Sequence, residues 1–239
     1  MTHRDNGLTR VRGDDLVGRG LDAGAEDVGG LTTEDLPSTF HHVAQAFLVG
    51  AAAALKCACD TIGFLGGQTG ALIGKFEAGY TAGAKAVNPN MNVLVQYIGD
   101  DVSAFNNPTA GEALSNQMYD DGAEIVYHAS GASGAGLFNA AVAQGKYAIG
   151  VDSDQCVTLP QYCGTLLTSA MKLIGPVVFA TIEKNYSGDL GGENLTGTLE
   201  NGGVGIAPLD RTEEAWTATF GSLVTADVIA KVDALKAKI

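Results

Sequence analysis

Between Thr61 and Val151 short apolar segments alternate with helical ones, and the connections between them are only a few residues long. Thr61–Leu65 is apolar and closes on Gly66-Gly67; Met91–Ile98, Glu124–Tyr127 and Tyr147–Val151 repeat the pattern. Between them, Phe76, Gly79, Tyr80, Gly83 and Val87 share one helical face that Asn88-Pro89 stops, and Thr109–Tyr119 and Gly136–Gln144 read as helices. A helix between successive strands supplies the long crossover that parallel pairing needs. The pattern predicts an α/β domain with a parallel sheet covered on both faces.

The flanks differ. Ala44–Leu55 reads as a helix of small residues, whereas residues 1–43 carry scattered Arg, Asp and Gly without a period and are expected to be poorly ordered. After Val151 the rhythm changes. Asp152–Gly164 reads as a polar loop, and a long helix is expected next, with Lys172 near its start and a kink at Pro176. Ile174, Val177, Val178, Thr181 and Ile182 share one of its faces. Gly/Asn-rich sequence at Ser187–Asn194, a strand near Gly197–Glu200 and an amphipathic helix from about Thr225 complete the chain. The shift predicts that the chain leaves one sheet and enters another. In that division 61–164 forms one lobe, and 44–60 with 165–239 forms the remainder of a second.

The chain has 239 residues, of which 46% are hydrophobic, enough for a sizeable core without staples. Fourteen Lys and Arg stand against 27 Asp and Glu, a formal charge of −13. That balance argues against a nucleic-acid backbone or an anionic membrane surface as partner. Cys57, Cys59, Cys156 and Cys163 have no His at ligand spacing and read as unlinked thiols, so no metal is expected. No apolar run reaches the length of a membrane span. Met1–Asp15 is polar and charged, unlike a signal peptide.

Ligands of open parallel sheets bind at the carboxyl ends of strands. Here those ends carry Gly66-Gly67-Gln68, the loop Gly99–Pro108, His128–Gly134, and Asp152-Ser153-Asp154-Gln155. Gly131–Gly136 reads either as a phosphate cradle or as a tight strand-to-helix turn. Charge favours the second: between Val95 and Thr165 the one Lys or Arg is Lys146, against eight Asp or Glu. A neutral, hydroxyl-rich ligand fits better. Asp152, with Asp154 two residues on, can accept two hydrogen bonds from a vicinal diol; a solvated turn or a helix N-cap is the other reading. Phe105, in a polar loop, can stack on a flat heterocycle or tuck into the hinge, and Lys172 can reach a sugar oxygen or stay solvated. His128 reads as a satisfied strand-end histidine. No nucleophile is matched to these acids, so no catalytic residue and no cofactor are assigned.

Seven stretches carry a family resemblance: Phe47–Leu55, Ile62–Gly67, Lys75–Pro89, Val93–Gly99, Tyr147–Gln155, Leu166–Lys172 and Glu200–Pro208. In this order and spacing the chain from Ala44 onward resembles the basic membrane protein (BMP) family, substrate-binding lipoproteins of ABC importers similar to purine nucleoside receptors. The resemblance implies a type I periplasmic-binding-protein fold with two Rossmann-like lobes, the first incomplete here, and a nucleoside between them. It implies base stacking by Phe105, a pocket lined by Gly131, and ribose contacts from Asp152 (or its neighbour Asp154) and Lys172. It also implies ABC permease subunits as partners and an extracytoplasmic, membrane-anchored location, although no lipid-anchor Cys precedes the resemblance. The family's loop Asp is Asn107 here, and residues 1–43 do not resemble its opening strands. Against this non-enzymatic reading stand a Rossmann-type nucleotide-dependent enzyme built on Gly131–Gly136 and a regulator that senses the same ligands.

Overall fold

The structure, a computed structural model, describes residues 40–188, 195–208 and 225–238. Their strands are β1 (Thr61–Gln68), β2 (Asn92–Gly99), β3 (Ile125–Ala129), β4 (Tyr147–Asp152), β5 (Leu166–Lys172) and β6 (Val204–Ile206). Their helices are α1 (His42–Lys56), α2 (Ala71–Val87), α3 (Pro108–Asp120), α4 (Gly134–Gln144), the single turn α5 (Gln155–Thr158), α6 (Ile174–Ser187) and α7 (Ala226–Lys236). The strands form one sheet in the order β2-β1-β3-β4-β5-β6, parallel except for β6, which runs antiparallel to β5.

Side chains alternate across the sheet with the two-residue period of a strand. Ile62 and Phe64 of β1, Ile125 and Tyr127 of β3, and Ile149 and Val151 of β4 join the core beneath α1, α2 and α7. Leu65, Val126, Ala148 and Leu166 join the opposite core, with Met118 of α3 and Leu137 and Phe138 of α4. Strand residues on both faces are therefore apolar, as a sheet covered twice requires. Small residues set the spacing of α1 and α2: a Cβ on Gly50 would run into the Tyr80 backbone, and one on Gly83 into the Phe47 carbonyl.

The order 2-1-3-4-5 reverses direction between β1 and β3, because the crossover through α2 builds outward on one side and those through α3 and α4 on the other. Such a reversal leaves a crevice outside the carboxyl ends of the two strands. The crevice edge is the place where ligand chemistry is expected.

The elements from β1 to β4 follow the sequence pattern; the chain after Gly164 does not. Leu166–Lys172 is strand β5, not the opening of a long helix, and β5 pairs with β4 (Asp152 opposite Met171). The chain does not leave the sheet there. Leu166 to Ala170 are all buried between neighbouring strands and helices, and a run buried on both faces lacks the alternation that identifies a strand. The helix begins at Ile174, so Pro176 lies in its first turn, where its missing N–H costs no bond and makes no kink. The strand expected near Gly197–Glu200 lies at Val204–Ile206, although Gly197 makes an isolated bridge to Phe40. Phe40 to Val43 are also ordered into this bridge and α1, and His42 is buried; the expectation for residues 1–39 lies outside the described residues.

The cysteines are paired rather than unlinked. Cys57–Cys59 and Cys156–Cys163 are disulfides, with Cα–Cα separations of 5.2 and 4.6 Å. The second follows from α5 and the 3₁₀ turn Pro160–Tyr162, which double the loop back so that both sulfurs are buried.

Candidate functional site

The carboxyl edge gathers residues from five strands and two helices. After β2, Val102–Asn106 forms a 3₁₀ turn whose start is capped by Asp101, the Oδ1 accepting from Ser103 N at 2.7 Å. This turn carries Phe105. Its half-buried ring covers Gly67 at the end of β1, where a Cβ would stand 2.5 Å from Cδ1. Gly131, after β3, has φ +57 and lies beneath the same residue, 3.1 Å from the Phe105 carbonyl by the same measure. Only a residue tolerant of the left-handed region and free of a side chain fits there. Phe105 thus sits over the β1/β3 reversal. Ser133 fixes the loop: its Oγ donates to Ala104 O and accepts from Asn107 N, both at 2.7 Å. Asn107, in place of the family's Asp, caps α3 by accepting from Ala110 N at 3.1 Å.

The other glycines of Gly131–Gly136 serve packing. A Cβ on Gly134 would strike the His128 ring, and one on Gly136 the Pro108 carbonyl. The segment is a close-packed turn from β3 into α4, set against α3, which disfavours the phosphate-cradle reading.

On the next strand, Asp152 ends β4 with φ 67, the one non-glycine residue with positive φ among those described. Such a conformation costs of order 1–3 kcal/mol and persists where the surroundings fix it. Gln155 fixes them: its Oε1 accepts from Val151 N at 2.8 Å, and its own N donates to Ser169 Oγ at 3.1 Å. The exposed Asp152 carboxylate accepts from Lys172 Nζ at 2.8 Å, and Lys172 is the last residue of the adjacent strand β5. Asp154, by contrast, caps α5, its Oδ1 accepting from Cys156 N at 3.1 Å.

Lys172 Nζ also stands 5.5 Å over the Phe76 ring of α2, and the His42 ring stacks on Phe76 at 4.6 Å. Burial, assisted by the nearby Lys172 and Lys75 ammonium groups, lowers His42 to a pKa of about 4. Burial also lowers Lys75, of which 9% is exposed. His128 is fully buried and lowered to about 4 by desolvation, against the opposing pull of its Gln155 hydrogen bond. Neutral and held on both nitrogens by Ser130 and Gln155, it is a satisfied histidine at the strand end.

Of the residues singled out in the sequence, Phe105 and Gly131 are in contact and Asp152 and Lys172 are bonded to each other, while Asp154 is turned to helix capping. Sequence reasoning missed His42, Lys75, Phe76 and Gln155. Lys75 and Phe76 lie in a segment read for its helical period and its family resemblance, with no site role given to either residue. Gln155 had a visible signal, an amide directly following a capping Asp at a strand end.

A family model described as "Bmp: ABC transporter substrate-binding protein PnrA-like" matches residues 30–233. The chain is 34% identical over 197 residues to the ABC transporter nucleoside-binding protein BmpA of Lactococcus lactis subsp. cremoris, 74% of this chain and 54% of that protein. It is 33% identical over 208 residues to a CD4+ T-cell-stimulating antigen of Listeria innocua serovar 6a, covering 81% of this chain and 54% of that one. The chain therefore spans about half the length of these relatives. Among solved structures, an ABC transporter solute-binding protein of Conexibacter woesei aligns with TM-score 0.67 at 24% identity, over 83% of this chain and 61% of its own. A similar protein from Aeropyrum pernix aligns with TM-score 0.65 at 24% identity, over 83% of this chain and 62% of its own. The fold is that of the type I periplasmic-binding proteins, and the family consists of binding proteins rather than enzymes. A match across residues 30–233, on a sheet with its polar residues gathered at the carboxyl edge, places this chain in the Bmp family of PnrA-like ABC transporter substrate-binding proteins.

Proposed function

We propose that this chain belongs to the substrate-binding component of an ABC importer and that its ligand is a nucleoside, with a purine base. The observation that carries the reading is the convergence of Phe105, Gly131, Asp152 and Lys172 on one sheet edge, although 67 residues separate the first from the last. In this reading the base stacks on Phe105 above the β1/β3 crevice. Asp152 and Lys172 take the ribose hydroxyls, exchanging part of their mutual ion pair for a bond each to the sugar. Asp154 acts through α5, holding the loop that begins at the Asp152 turn. The described sheet is one lobe, and a second closes over the ligand from the side of Phe105 and Asp152. Delivery to permease subunits outside the cytoplasm, from a lipid anchor on the membrane, completes the proposal. Within the described residues no helix is long and apolar enough to cross a membrane.

The test is calorimetry on the full chain with adenosine, guanosine, inosine, free adenine, ribose and adenosine 5′-monophosphate. A nucleoside is expected to bind more tightly than base or sugar alone. The monophosphate is expected to bind more weakly than its nucleoside, since Asp100, Asp101, Asp152 and Asp154 stand at the ends of the same strands. Tighter binding of the monophosphate, or heat from none of the nucleosides, overturns the reading.

A further inference from the structure

At the opposite, amino edge of the sheet a second group of residues converges. Cys57 caps the C-terminus of α1, its N–H donating to Ala53 O at 2.8 Å. Cys59 follows two residues later, just before β1. Glu124 directly precedes β3, the neighbour of β1, and its backbone is fastened on both sides: Glu124 N donates to Thr61 O at 3.3 Å, and its carbonyl accepts from Tyr147 N at 3.0 Å. The Glu124 side chain turns to the cysteine loop, where Oε2 accepts from Ala58 N at 2.8 Å. One donor atom from each of Cys57, Cys59 and Glu124 lies within 4.8 Å of the others, and all three residues are partly buried. Both sulfurs also face Thr61 O, at 3.7 and 3.0 Å.

We propose that this loop, once its disulfide is reduced, is a Zn²⁺ site with Cys57, Cys59 and Glu124 as ligands. Reduction breaks the S–S bond and leaves two thiols: a thiol reductant supplies two electrons and two protons and becomes its disulfide, whereas a phosphine supplies the two electrons and water supplies the two protons and the oxygen of the resulting phosphine oxide. Zn²⁺ then displaces the two thiol protons, forming two Zn–S bonds and one Zn–O bond, with a fourth tetrahedral position left to solvent. Two thiolates with a carboxylate select a borderline cation over Mg²⁺ or Ca²⁺, which take oxygen ligands. The local field points the same way. The carbonyl end of α1, Glu124 and the exposed Asp60 all disfavour a bare thiolate, so the pair is poorly set for thiolate attack. A dication reverses that penalty. The nearest cation on α1, Lys56, is directed over the Tyr147 ring at 5.1 Å rather than at the sulfurs.

The experiment uses the full chain, reduced with tris(2-carboxyethyl)phosphine without oxygen and titrated with Co²⁺. The expected result is one equivalent of Co²⁺ giving thiolate charge-transfer absorption in the near ultraviolet, displaced by Zn²⁺. The double substitution Cys57→Ser/Cys59→Ser abolishes the absorption, Cys156→Ser/Cys163→Ser leaves it, and Glu124→Gln weakens Co²⁺ binding roughly tenfold or more. A second readout needs no variant: Zn²⁺ protects Cys57 and Cys59 of the reduced chain from iodoacetamide, read by peptide mass. Absence of the charge-transfer band, or alkylation unchanged by Zn²⁺, overturns the site, as does a band that survives the Cys57→Ser/Cys59→Ser change.

Discussion

His128 Nε2 and Gln155 Oε1 stand 2.9 Å apart, and the same oxygen accepts from Val151 N, so the imidazole proton is on Nε2. A neutral imidazole is therefore built into the end of β3, and through Gln155 into the turn that carries Asp152. Protonation would put a charge into a fully buried site.

This gives a prediction about acid stability. Burial lowers both His128 and His42 from 6.5 to about 4. As pH falls from about 6.5 to 4, the unfolded chain takes up these protons and the folded chain does not. The stabilisation is fully present above pH 6.5 and is lost through that window, by at most about 1.4 kcal/mol per pH unit for each group. Urea midpoints at pH 7.5, 6 and 5 are expected to fall, and His128→Gln is expected to flatten the fall while lowering the midpoint at pH 7.5. A wild-type midpoint that does not move between pH 6.5 and 5 contradicts this account.

Phe105→Ala is expected to weaken nucleoside binding by about 1–3 kcal/mol through lost stacking. The ring also covers Gly67 and Gly131, so a smaller loss of folding stability, about 1 kcal/mol, should accompany it. Calorimetry and urea unfolding on the same variant separate the two. An affinity unchanged within error removes Phe105 from the site.

Much of this arrangement is legible in the sequence, for reasons that differ by element. β1 to β4 are short apolar runs punctuated by Gly, Asn-Pro and polar turns, so their bounds and their alternation with helices are plain. β5 carries Thr168 and Ser169 inside it, and Leu173-Ile174 continue past Lys172 before Gly175-Pro176 breaks the run, so this doubly buried strand has the same texture as the start of a buried helix. Phe105 and Asp152 could be read because strand ends are fixed by the strands. The stack of His42, Phe76 and Lys172 was not, because it depends on α1 lying against α2, and no local pattern states that contact. The Cys156–Cys163 bond likewise required two short turns inside a loop that reads as featureless.

The contact between α1 and α2 is itself testable. Gly83→Ala places a methyl against the Phe47 carbonyl, and backbone cannot yield as a side-chain tip does. The helix-propensity gain of about 1 kcal/mol at this position is expected to be outweighed by about 1–3 kcal/mol of overpacking. Gly74→Ala, on the same helix but with open space at its Cβ, is the control and should stabilise. If both substitutions raise the urea midpoint, the two helices are not in close backbone contact at Gly83.

The last prediction separates ribose recognition from base recognition. Asp152 has one oxygen on Lys172 and a carboxylate that remains exposed at the sheet edge. Hydrogen bonds to a charged acceptor are worth about 1.5–3 kcal/mol, so a 2′-deoxynucleoside should bind roughly tenfold or more weakly than its ribo form. Asp152→Asn keeps the shape and tolerates the left-handed backbone, but it loses the charge and one acceptor oxygen. It should erase most of the ribo/deoxy difference and leave the order of bases unchanged, because Phe105 is untouched. Lys172→Met, which keeps an apolar chain on the Phe76 ring, should weaken ribo- and deoxyribonucleosides unequally in the same direction. A competition series of ribo- and deoxyribonucleosides against wild type and both variants measures this. If Asp152→Asn lowers both sugars equally, the carboxylate positions Lys172 and does not touch the ribose.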